Sequence, residues 1–214
     1  MRKLKQLLID NKYFFIGYVL LLLFGSSLLF TYGKLTTFYL LNPYHRDWFN
    51  YIFYFFTILG DGFFCIPLGF SLLIIKQKKL CWLVLSSYII SGIIILILKN
   101  YIEEARPSLY IELKNYPYFI DHITLHNYHG FPSGHTASAF ALASVLAFNS
   151  MSKRKSAIVL LITATLIGYS RVYLGQHFIS DVMVGSVIGV LSGIFCWEYV
   201  LRIKFIKDSY RKAM

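Results

Sequence analysis

Seven polar residues stand at the edges of apolar runs, where a hydrophobic chain would ordinarily carry none: Lys99, Arg106, Ser133, His135, Arg171, His177 and Asp181. They fall in three short blocks. Lys99 is separated by six residues from Arg106-Pro107, and Pro132-Ser133-Gly134-His135 comes next. Ser170-Arg171 then leads across five residues to His177 and across three more to Asp181. Three cations, two imidazoles and a carboxylate in that order can bind a phosphoryl group and cleave it.

Each block has a chemical reading and a plainer one. On a helix, His177 and Asp181 would share a face. The carboxylate would accept the proton of one ring nitrogen, leave the other as a free lone pair, and stabilise the charge formed when the ring attacks. The plainer reading is a hydrogen bond that ends a helix. Arg171 points to the same surface and favours the chemistry. In the second block Ser133 is a favoured N-cap, and the amides of the first helical turn make an anion site. Gly134 lets an oxyanion approach the backbone closely. His135 in that turn suits a general acid, although capping alone would account for Ser133. In the first block Lys99 ends an apolar run, where a snorkelling anchor is the alternative. Pro107 breaks the helix after Arg106. Arg106 and Arg171 suit bidentate phosphate contact, Lys99 a point-charge contact. With unperturbed values near ~6.5, a neutral His177 and a protonated His135 give a bell-shaped rate around that pH.

The elements that must position these residues are helices in a membrane. Of 214 residues, 57% are apolar, 18% aromatic and only 14% charged, the profile of a polytopic membrane protein. A spanning helix needs roughly 20 mostly apolar residues. Six runs qualify: Tyr13–Thr31, Trp48–Ile75, Leu80–Leu98, Ser133–Met151, Ser156–Tyr173 and Phe178–Leu201. The expected fold is therefore all-α, a polytopic bundle of six transmembrane helices with the site at its outer face. No linker or repeat divides the chain, so residues 1–214 read as one domain with a motif-bearing core at about 80–201. The first run is too long for a signal peptide and lacks a cleavage site after Phe30.

Basic residues set the orientation. With the amino terminus inside, 15 of 21 basic residues lie on the cytoplasmic side, in clusters at Arg2–Lys12, Lys76–Lys79, Lys153–Lys155 and Arg202–Lys212. Lys34, Arg46, Lys99, Arg106, Lys114 and Arg171 remain outside. Both termini are then cytoplasmic, and all three blocks emerge on the outer face, as expected of a bacterial inner (plasma) membrane protein. The net charge of +11 sits in short juxtamembrane loops, where topology and anionic lipid explain it and nucleic acid is not implied. Cys65, Cys81 and Cys196 match no disulfide or zinc spacing and read as small buried hydrophobes.

Together the blocks resemble the type 2 phosphatidic acid phosphatase superfamily, which also includes bacterial acid phosphatases and vanadium haloperoxidases. Its pattern, Lys-x6-Arg-Pro, Pro-Ser-Gly-His and Ser-Arg-x5-His-x3-Asp, is matched at every position between Lys99 and Asp181. The resemblance implies that His177 is the nucleophile, Asp181 its orienting partner and His135 the donor to the leaving oxygen. It implies that Lys99, Arg106, Ser133, Gly134 and Arg171 hold the phosphoryl oxygens. It also implies that no metal or other cofactor is used. His122, His126 and His129 fit no closed metal site and read as loop histidines. Asp61, the one charge inside the second run, is expected to bond backbone or a cation from a neighbouring helix.

The expected activity is metal-independent hydrolysis of a lipid phosphate monoester or diphosphate through a phosphohistidine. Undecaprenyl diphosphate, phosphatidylglycerol phosphate, phosphatidic acid and lipid A phosphates all fit. A phosphotransferase with a non-water acceptor is a second enzymatic reading. An anion transporter would use the same cations but has no need of the paired histidines.

Overall fold

The computed structural model describes residues 2–111 and 126–199. Among these residues the chain is helical throughout: α1 (Arg2–Asp10), α2 (Lys12–Leu41), α3 (Asp47–Leu59), α4 (Gly62–Ile74), α5 (Lys78–Tyr101), α6 (Pro107–Tyr110), α7 (Gly134–Asn149), α8 (Lys153–Tyr173) and α9 (Ile179–Tyr199). His122, Lys114 and the basic cluster Arg202–Lys212 lie outside the described residues.

α7 is the axis of the bundle. It packs against α5, α8 and α9, and its sequence explains why it can. Glycine, alanine, serine and threonine make up most of its residues, and most of its side chains are buried. α9 answers with Gly185, Gly189 and Gly193, one helical turn apart. A Cβ at these positions would strike Ser133 O, Ala137 O and Ser144 Oγ of the α7 region. Such a small-residue stripe lets two backbones approach closely, the usual device where lipid supplies no hydrophobic drive. α2 closes one flank with Phe14 against Phe148 and a hydrogen bond between Tyr18 Oη and Ser186 Oγ at 3.1 Å. α3 closes another, with Phe53 over Tyr173 and Asn50 Oδ1 accepting from Tyr173 Oη at 2.6 Å.

Outward, Ile16, Leu20, Leu23 and Phe24 on α2 and Ile93, Leu96 and Ile97 on α5 stand exposed, an apolar belt suited to lipid. By length and composition α2, α5, α8 and α9 can cross a membrane, and α3 with α4 makes a fifth if counted as one bent span. Two expected spans differ from their sequence reading. The second is broken at Gly60–Asp61, where α3 and α4 meet at 53°. The fourth, α7, has 16 residues, or ~24 Å at 1.5 Å per residue, short of the ~30 Å of a bilayer core. Wrapped by its neighbours, α7 is not required to match lipid thickness. The first span ends near its expected boundary, because Gly33, at φ 73° and ψ 174°, leaves the helical region, and a second helical stretch runs from there to Leu41. The three cysteines are buried and free, as their sequence context suggested.

Candidate active site

α8 ends in a turn that delivers the third block. Gly175 adopts φ 66°, a left-handed conformation that glycine accepts without Cβ strain. The turn lets the amides of Gln176 and His177 both donate to Arg171 O, at 3.0 and 3.1 Å. The backbone thus ties the histidine to the arginine six residues before it. His177 and Asp181 side chains are 2% and 1% exposed, with Nδ1 and Oδ2 3.5 Å apart.

The ring's shortest bond is not to Asp181. Nδ1 lies 2.6 Å from Gly130 O. The two side chains do meet, but not from one helical face, because α9 begins at Ile179, after His177. Asp181 instead caps the helix start, its Oδ2 accepting from Phe178 N and its Oδ1 from Ser180 Oγ, each at 2.9 Å. The Gly130 carbonyl requires a proton on Nδ1 and leaves Nε2 as the lone pair, while Asp181 adds negative charge beside the ring. Burial holds the His177 pKa well below 6.5, and Arg171, Arg106 and Lys99 push the same way against the Gly130 bond. The ring is therefore neutral at physiological pH, and its acid limb sits lower than the sequence alone suggests.

Gly130 was not foreseen. It is placed by Arg106, whose N donates to Asn127 O, Nε to Tyr128 O, Nη1 to Gln176 Oε1 and Nη2 to His129 O. Gly130 N donates to Glu104 O at 2.8 Å, and a Cβ on Gly130 would sit 3.1 Å from both that oxygen and Arg106 Cγ. Arg106 is thus first a clamp on the loop behind the nucleophile and contributes its charge from there. Gln176, buried between the arginine and the turn, was likewise not singled out by its residue type.

Arg171 keeps one donor without a partner. Its Nη1 donates to Thr57 Oγ1 of α3, and its buried Nε has no partner in the structure. Lys99, half-buried, sits in the last turn of α5. Ser133 caps α7, accepting from Thr136 N at 3.4 Å and Thr136 Oγ1 at 2.9 Å, while its own N donates to Asp181 O. That last bond joins the second and third blocks through the backbone. A Cβ on Gly134 would meet only Ile95 Cγ2, at 3.6 Å. Packing therefore does not require this glycine, which leaves the space above the helix start as its reason. His135 lies in that first turn, 31% exposed, with Nε2 3.9 Å from Asp61 Oδ2. Asp61 also caps α4 through Phe63 N, the backbone bond that its sequence position suggested. Among the described residues no three His, Cys, Asp or Glu side chains converge on a metal position.

A profile of the PAP2 superfamily matches residues 80–205, which contain all three blocks. The chain belongs to the PAP2 superfamily. Phosphatidylglycerophosphatase B of Bacillus subtilis is 30% identical over 158 residues, 68% of this chain and 72% of that protein. Lipid A 4'-phosphatase of Porphyromonas gingivalis is 32% identical over 108 residues, 48% of this chain and 43% of the relative. In three dimensions this PAP2 chain is similar to Aquifex aeolicus LpxE, with TM-score 0.65 and 30% identity over 78% of this chain and 95% of that one. It is also similar to the first transmembrane PAP2-type phosphatidylglycerolphosphate phosphatase of Bacillus subtilis, with TM-score 0.66 and 25% identity over 88% and 96%. The matched segment leaves out α1 to α4, and with them Thr57 and Asp61.

Proposed function

We propose that this protein is an integral membrane lipid phosphatase working through a phosphohistidine on His177. The observation that supports this most directly is a buried, neutral imidazole with Nδ1 satisfied by Gly130 O, beside the unpartnered Nε of Arg171. His177 Nε2 attacks phosphorus, the P–O bond to the leaving group breaks, and His135 gives its proton to the departing oxygen. His135 then takes a proton from water, which attacks the phosphohistidine and frees phosphate. Asp181 steadies the charge that His177 develops. Lys99, Arg106 and Arg171, with the backbone at Ser133 and Gly134, bear the phosphoryl oxygens; these cations supply the stabilisation for which other phosphoryl-transfer enzymes use metal ions.

The names of the relatives and the apolar belt favour a lipid substrate: phosphatidylglycerol phosphate, phosphatidic acid, a lipid A phosphate or a polyprenyl diphosphate. A groove of about 240 Å³ between α2, α8 and α9, lined by Leu22, Phe24, Leu28, Leu166, Val182 and Met183, includes in its wall the residue that follows Asp181 and has the character to take a chain. Six crossings fit the connectivity. α5 ends and α8 ends beside the site, α8 starts at the far side, and α7 is the helix that returns the chain between them. The basic clusters then fall on the cytoplasmic side and the site faces outward, in a bacterial inner membrane.

Rapid quench with labelled phosphatidic acid tests the chemistry. An acid-labile, base-stable adduct on His177, insensitive to chelators and blocked by vanadate, is expected. Label on another residue overturns it. For orientation, a membrane-impermeant thiol reagent applied to intact cells, on a background lacking native cysteines, is expected to reach Asn127→Cys and not Ser152→Cys.

A further inference from the structure

The break between α3 and α4 touches the site at three points, all outside the matched segment 80–205. Thr57 Oγ1 accepts from Arg171 Nη1. Gly60 lies against His135 so closely that a Cβ there would be 3.2 Å from His135 O and 3.3 Å from its Cβ. Asp61 Oδ2 then stands 3.9 Å from His135 Nε2, with side-chain exposures of 46% and 31%. The charged or titratable groups facing His135 are Asp61 from the break, Arg171 from α8, His177 from the α8–α9 connection and Lys99 from α5. Asp61 is the one anion among them.

We infer that Asp61 is a positioning residue for His135 and fits the site to phosphate monoesters whose leaving group is a neutral alcohol, in preference to diphosphates. The inference rests on the phosphatase reading above. As the P–O bond breaks, an alkoxide must collect a full proton from His135. Two cations, Arg171 and Lys99, oppose a charge on that ring, and a carboxylate on its open side restores it. A diphosphate differs twice over. Its leaving group is a phosphate, which departs with little help from an acid, and it brings negative charge to the side where Asp61 already stands. The same carboxylate therefore speeds alcohol departure and opposes a second phosphate.

The experiment compares wild type, Asp61→Asn and Asp61→Glu in detergent micelles on phosphatidic acid, p-nitrophenyl phosphate and farnesyl diphosphate. Wild type is expected to favour phosphatidic acid over the diphosphate. In Asp61→Asn, kcat/KM on phosphatidic acid should fall about tenfold and the basic limb of its pH profile should move about one unit toward acid. Loss on the aryl phosphate, whose leaving group needs less acid, should stay under about threefold, and diphosphate turnover should hold or rise. Asp61→Glu should recover most of the phosphatidic acid rate. Equal loss on all three substrates, an unmoved basic limb, or wild-type preference for the diphosphate overturns the inference while the phosphatase reading stands. Absence of wild-type turnover on every phosphate overturns both.

Discussion

The two histidines of the site live in opposite surroundings. His177 is 2% exposed, bonded through Nδ1 at 2.6 Å, and walled by a clamped loop. His135 is 31% exposed, with the carboxylate of Asp61 3.9 Å away. The difference follows the work proposed for each ring. A nucleophile gains from being neutral, fixed and dry, because its lone pair must be aimed and uncovered. An acid that later activates water must meet both the leaving group and solvent. The dry ring is held by backbone, namely the carbonyls of Gly130 and Arg171, while the wet ring is influenced by a side chain from a helix break. Substitutions on the first side should therefore damage the chemistry broadly, and on the second selectively.

The largest effect expected is at the dry ring itself. His177→Ala should lower kcat at least a thousandfold and remove the phosphoenzyme. His135→Ala should also be slow but should accumulate phosphoenzyme from an activated aryl phosphate, since attack does not need the acid there. A variant lacking His177 that keeps ordinary turnover would erase the contrast.

Next in size is Gly130→Ala. The added methyl meets Arg106 Cγ and Glu104 O at 3.1 Å, so the loop must move and carry the carbonyl away from Nδ1. A displacement of about 1 Å at a reacting group costs on the order of a hundredfold. The expected signature is a fall in kcat with a lowered melting temperature, read by thermal unfolding in detergent. Normal kcat would show that Asp181 alone orients the ring.

Gly134→Ala is expected to separate packing from chemistry. Its Cβ would make ordinary contact with Ile95, and a helix-start alanine does not destabilise, so melting should be unchanged. If the first-turn amides receive a phosphoryl oxygen, the methyl intrudes on it, and kcat/KM should drop about tenfold with weaker vanadate inhibition. Unchanged vanadate affinity would move the anion away from the α7 start. A smaller effect belongs to the groove: Met183→Trp, which crowds its wall, should raise KM for phosphatidic acid about threefold and leave p-nitrophenyl phosphate alone.

These contrasts also mark what residue types could and could not reveal. The three blocks were legible because charge in an apolar context is costly and therefore informative. Their gathering at one end of the bundle followed from alternation of spans. Gly130 was not legible, since its role is a carbonyl, which every residue has, presented by a loop that Arg106 folds. The assignment of Arg106 to phosphate contact alone missed how many of its donors the loop 126–130 would claim. The break at Gly60–Asp61 was hidden inside a run whose composition was right for a single span; two glycines and one acid marked the place but not the 53° bend. α7 was read as an ordinary span because composition does not distinguish a helix buried by protein from one buried by lipid.

The smallest effect expected is in the titration of His177, and its sign is fixed by the structure. Burial first, then Arg171, Arg106 and Lys99, lower the folded-state pKa below the ordinary 6.5. Protonation is thus harder in the folded protein than in the unfolded chain, so the neutral ring contributes stability that is present above pH 6.5 and is lost as pH falls through the lower, folded value. Between pH 7 and 6 an unperturbed imidazole would lose roughly two-thirds of its neutral form; His177 should lose little. Carbon-13 histidine NMR in detergent micelles, with the signal assigned by its absence in His177→Ala, reads this directly and avoids the titration of the substrate's own phosphate. A midpoint at or above 6.5 would mean that the carboxylate of Asp181 outweighs burial and the three cations, and the dry, neutral nucleophile would have to be given up.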